Sequence, residues 1–195
     1  MKKKLILFLL MCVPLFAFSQ QPTWGLSAGD DYQTVRHTLR TWYGGAAEDE
    51  ADSSSNGEVS RELTWDNIVY QGVTSEGLRC NFDDSGNSFT GFTMSTKEYT
   101  SNQFKTMESL RDKVAGKLAS KCHFKVTYVK NDRKAGPRYI KRYDGRFGRF
   151  YCYIAILLDG RVEDYQKYDT YHIEVFFNTT QPEYFDPETH TSFTY

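Results

Sequence analysis

The chain has 195 residues, 39% of them hydrophobic and 16% aromatic, with 24 Lys and Arg against 25 Asp and Glu for a formal net charge of −1. So many aromatics exclude a disordered chain. The near-neutral balance argues against a protein built wholly around nucleic acid or an anionic membrane.

The chain opens with Lys2, Lys3 and Lys4, an apolar run from Leu5 to Phe16, and small residues at Ala17 and Ser19. This is the pattern of a secretory signal peptide, so residues 1–19 are expected to be cleaved and the mature chain to reach the periplasm or be secreted. The run is shorter than the roughly 20 residues that span a bilayer. No second such run follows, so no transmembrane segment is expected after cleavage. Residues 20–195 have the length of a single α+β domain.

Tyr32, Val35, Leu39 and Trp42 recur at helical spacing and predict a helix over 31–43, with Asp30 as its cap and Gly44-Gly45 as its stop. Residues 46–60 are acidic and Ser-rich without apolar period, and predict a flexible surface loop. From Leu63 the pattern turns to period two. Ile68 and Tyr70, then Leu78, Cys80 and Phe82, then Phe92 and Met94 read as a three-stranded meander, with turns at 75–77 and 83–87.

Phe104, Met107, Leu110, Val114 and Leu118 form a stripe that predicts a second amphipathic helix over 102–121, its polar wheel including Arg111 and Asp112. A second β series starts with Phe124, Val126 and Tyr128. It continues through Phe150, Cys152, Ile154, Ile156 and Leu158 and ends with Tyr171, Ile173, Val175 and Phe177. The expected fold is α+β, an antiparallel sheet of about seven strands with two amphipathic helices packed on one face. Its order suggests a duplicated helix-plus-meander unit.

The run Gly29-Asp-Asp-Tyr-Gln-Thr-Val-Arg-His-Thr-Leu39, feeding a meander, resembles the repeat unit of beta-lactamase-inhibitory proteins and small outer-membrane-assembly lipoproteins. The signal peptide and aromatic-rich body resemble those of small exported proteins of Gram-negative bacteria. Trp42-Tyr43-Gly44 departs from the leucine-glycine-proline-like ending of those repeat units, so no residue role is carried across. What the resemblance implies is a binding role.

Cys80, Cys122 and Cys152 remain after cleavage, enough for one disulfide and one thiol. The alternative, that all three are buried hydrophobes, suits the apolar parity of Cys80 and Cys152. His37, His123, His172 and His190 lack zinc-site spacing and no cofactor motif occurs, so neither metal nor cofactor is expected. An exported hydrolase would have to use Cys122, or a carboxylate pair such as Asp83-Asp84 or Glu163-Asp164, with a histidine. No catalytic signature surrounds any of them.

Charge is unevenly spread. From Lys125 to Arg149 nine basic residues face two acidic ones, a net of +7, while from Glu48 to Asp66 seven acids face one arginine, a net of −6. Asp144-Gly145 is a favoured two-residue hairpin turn. With that turn, Arg138, Arg142, Phe147, Arg149 and Tyr151 share one sheet face, with Lys134 nearby. Such a basic-aromatic surface suits an acidic protein or an anionic glycan. Nucleic acid is not expected as the partner of an exported, nearly neutral protein. A bulge at Gly148 would flip Arg149 and Tyr151 relative to Arg142 and dissolve the surface.

Overall fold

The structure, a computed structural model, describes residues 21–45, 48–53, 59–130, 137–159 and 170–182. The signal-peptide segment and Lys134 lie outside the described residues.

Helix α1 (Tyr32–Tyr43) begins where the Asp31 carboxylate accepts the Thr34 backbone N–H at 3.0 Å. Asp31, not Asp30, is therefore the cap; the Asp30 carboxylate is occupied by the Ser27 backbone N–H at 2.8 Å. The helix stops at Gly44, whose φ of 69° suits glycine and whose N–H bonds the Arg40 carbonyl at 2.8 Å. Tyr32, Val35 and Leu39 form its buried stripe.

The strands that follow are β1 (Glu48–Ser53), β2 (Val59–Asp66), β3 (Val69–Tyr70), β4 (Val73–Thr74), β5 (Gly77–Phe82), β6 (Phe89–Ser95) and β7 (Tyr99–Thr100). A 3-10 turn at Ser101–Gln103 leads into α2 (Phe104–Cys122), which is followed by β8 (Lys125–Lys130), β9 (Tyr139–Phe147), β10 (Phe150–Asp159) and β11 (Thr170–Asn178). One antiparallel sheet runs β1-β2-β5-β6-β11-β10-β9-β8, with β7 beside β11, and β3–β4 form a separate hairpin. Each half of the chain thus supplies a helix followed by strands. β6 of the first half and β11 of the second pair at the centre of a shared sheet.

Two expectations are corrected here. Glu48–Ser53, expected within a flexible loop, is a strand laddered to β2; backbone hydrogen bonding to a neighbouring strand needs no apolar period, which is why the pattern missed it. The first meander strand is Val59–Asp66, where Leu63 and Trp65 are buried, while the Ile68–Tyr70 stretch leads into the small hairpin.

The core lies on one face. Leu78, Cys80, Phe92, Met94, Cys152, Ile154 and all four of Tyr171, Ile173, Val175 and Phe177 are inaccessible, and the apolar stripes of α1 and α2 join the same cluster. A single row crosses the sheet through Cys80, Phe92, Phe177, Cys152 and Gly145, each paired with the next. At its middle the Phe92 and Phe177 rings stack at 4.9 Å.

Candidate functional site

The basic-aromatic hairpin folds differently from its turn chemistry. Asp144 and Gly145 lie inside β9; the chain reverses at Gly148-Arg149, between the paired residues Phe147 and Phe150. Gly148 has φ 57°, so it supplies the turn itself. This register aligns Phe147, Gly145 and Tyr143 with Phe150, Cys152 and Ile154 on the core side. Burying that apolar face outweighs the local preference of an Asp-Gly pair.

The expected shared face is therefore corrected. Arg138 precedes β9 and is exposed, its guanidinium 5.6 Å from the Tyr139 ring. Phe147 packs against the core. Arg149 is exposed in the turn. Tyr151 pairs with Arg146, whose guanidinium stacks 4.1 Å from its ring. Arg142 is wholly buried, with Nε donating to Asp144 at 2.6 Å and its guanidinium 4.5 Å from the Tyr153 ring. The Thr127 hydroxyl donates to the same carboxylate. Arg142 thus serves a buried ion pair, and the exposed arginines fall at opposite ends of the hairpin.

What the sequence missed lies beside it. Among the described residues five large apolar side chains are exposed, and three of them, Val126 (47%), Tyr128 (52%) and Tyr139 (46%), gather on β8 and β9. Tyr128 pairs with Lys141 and Lys130 with Tyr139, so all of these side chains lie on the face that carries α2. The period-two run through Phe124, Val126 and Tyr128 forms β8 as its pattern predicts; Val126 and Tyr128 share the parity of the core-facing Tyr143 but lie on the sheet's terminal strand, where they stay exposed. Thr127 and Val129, of the opposite parity, are buried instead.

The inner border of this patch is fixed by α2. Arg111, expected on the polar wheel, is 1% exposed; it donates to the Lys141 carbonyl and to Asp112, each at 2.8 Å. Lys141 reaches Asp112 at 2.8 Å and the Tyr143 hydroxyl donates to it at 3.1 Å. Desolvation pushes the Asp112 carboxyl up, but hydrogen bonds from Lys141, Arg111 and Tyr143 outweigh it and hold the group below its ordinary value. The Lys141 ammonium is raised by its bond to Asp112 and then by Tyr143.

The other two exposed apolar side chains, Trp42 and Val69, border an open groove of about 590 Å³ between the end of α1 and β3, lined also by Tyr43, Asp66 and Asn67. The hydrolase candidates are placed otherwise. Cys122 is wholly buried, and so is Cys152. Asp83 organises its turn, accepting from Ser85 at 2.6 Å and from the Asn87 and Ser88 N–H groups at 3.2 Å, and the Ser85 bond chiefly holds its carboxyl down to about 2. A carboxyl held ionised to that degree is a poor proton donor at neutral pH. Glu163 and Asp164 lie outside the described residues. Among the described residues no group of three or more His, Cys, Asp or Glu is placed to hold a metal ion.

No protein-family model matches this chain, no curated protein matches it, and no solved structure matches it.

Proposed function

We propose that the protein is an exported, non-catalytic binding module that takes an acidic segment of a partner protein at β8 and β9, on the exposed margin of the face that carries α2. The observation that carries this reading is the gathering of Val126, Tyr128 and Tyr139 at the terminal strand, bordered by Arg138 and Lys130. Tyrosines at such a place supply contact area at low entropic cost, with hydroxyls still able to bond. The surrounding cations favour an acidic partner and speed its approach. The strand at the end of the sheet order offers an extended partner a backbone to pair with.

A labelled Glu- and Val-rich peptide tests this by fluorescence polarisation at low salt. Tyr128→Ala with Arg138→Glu is expected to weaken binding by about tenfold or more, since aromatic and arginine anchors dominate interfaces. Unchanged affinity would sink the proposal, and retention on heparin without peptide binding would point to an anionic glycan instead. Export is tested separately: the protein recovered from its native host should begin at Gln20, and an intact Met1 terminus would exclude cleavage.

A further inference from the structure

The cysteines Cys80, Cys122 and Cys152 are not equivalent. Cys80 and Cys152 lie in one row across the sheet, with Phe92 and Phe177 between them. Three inter-strand steps put their Cα atoms roughly 14 Å apart, about twice the reach of a disulfide. Cys122 approaches from above. It is the last residue of α2, where His123 takes a left-handed conformation (φ 48°) and turns the chain down toward the sheet.

That descent is permitted by Gly145. A Cβ there would collide with the Cys122 carbonyl and lie 2.9 Å from the Phe124 ring. Gly145 is also the direct cross-strand partner of Cys152. The Cys122 backbone therefore rests on the residue beside Cys152, which brings the two inaccessible side chains to the same place in the core.

We propose that Cys122 and Cys152 join as a disulfide when the chain folds in the presence of a small-molecule or protein disulfide, while Cys80 stays a thiol. The thiolate of one cysteine attacks the oxidant's S–S bond and expels one thiol; the second thiolate attacks the mixed disulfide and expels the other. The pair loses two electrons and two protons, and the oxidant is reduced to two thiols. In the finished fold, hydrogen bonding to Cys122 and then desolvation push the Cys152 thiol far above its ordinary range. Attack thus belongs to the open chain, before the pair is covered. Once formed, the bond is shielded from external thiolates and ties the end of α2 to β10 in the sheet.

This chemistry depends on the fold and the oxidant and not on the proposed partner surface, so it can fail or hold independently of that reading. The chain from Gln20 onward, which lacks Cys12, is refolded in a mixture of reduced and oxidised glutathione, alkylated under denaturing conditions and digested with trypsin without reduction. The expected product joins residues 122–125 to residues 150–161, with Cys80 alkylated in residues 80–97. Three alkylated cysteines, or a bond that includes Cys80, overturns the proposal. The oxidised chain should also melt about 5–15 °C above the reduced one. Cys80→Ser should keep that difference; its disappearance there would equally count against the assignment.

Discussion

At the scale of single residues, two glycines make opposite predictions. Gly145 extends beneath the Cys122 carbonyl, where a methyl group has no room and the obstacle is backbone. Gly145→Ala should cost about 2–3 kcal/mol by overpacking, read as a lower urea midpoint. Gly116 lies within α2 with nothing near its missing Cβ. Gly116→Ala should stabilise by about 0.5–1 kcal/mol through helix propensity and a less free unfolded chain. The arginines separate in the same way. Arg142→Ala strands the Asp144 carboxylate in the interior and should cost about 3–5 kcal/mol. Arg138→Ala, on the surface, should stay within about 0.5 kcal/mol. A midpoint for Arg142→Ala equal to that of the parent protein would contradict the buried-pair geometry. Composition marks Arg142 and Arg138 alike as surface cations, because which arginine meets a carboxylate depends on strand register.

At the scale of elements, α2 is held to β9 by more than its apolar stripe. The Asp112 carboxylate collects Lys141, Arg111 and Tyr143, with Arg111 itself buried against the Lys141 carbonyl. Asp112 is held below its ordinary value of 3.8, so its contribution is fully present above that pH and is lost as the pH falls through the lower folded value. Lys141 is raised above 10.5, so its contribution is present below that pH and fades as the pH climbs past it. Asp112→Asn should therefore lower the urea midpoint at neutral pH, and the gap from the parent protein should close below about pH 4. A gap that stays constant down to acid pH would show that the carboxylate's charge does not stabilise the clamp. Helices and central strands were legible from the sequence because long periodic runs such as 171–177 face one core. β1 and the exposure of Val126 and Tyr128 were not, since both follow from a strand's place at the end of the sheet order. The true hairpin turn escaped for a related reason: pairing Phe147 with Phe150 buries more than an Asp-Gly turn gains locally.

At the scale of the whole molecule, the sheet order turns an uneven charge sequence into a spatial separation. The acidic stretch from Glu48 to Asp66 builds β1 and β2 at one end, and the basic stretch from Lys125 to Arg149 builds β8 and β9 at the other. Seven inter-strand steps separate the terminal strands by roughly 34 Å, several times the Debye length of about 8 Å at physiological salt. Across that distance the two ends do not screen one another, so each presents its own potential to a surface or partner. A formal charge of −1 and a pI near 6.4 suggest a protein that ignores a cation exchanger at pH 7. The sheet order predicts the contrary: retention at low salt through the β8–β9 end, and on an anion exchanger through the β1–β2 end. Replacing the exposed Arg138, Arg146 and Arg149 with glutamate should abolish the first and leave the second. Arg142 contributes little to either, because its charge is matched by Asp144. Flow-through of the parent protein on the cation exchanger would mean that the two ends do not act separately, and would remove the electrostatic basis for an acidic partner at β8.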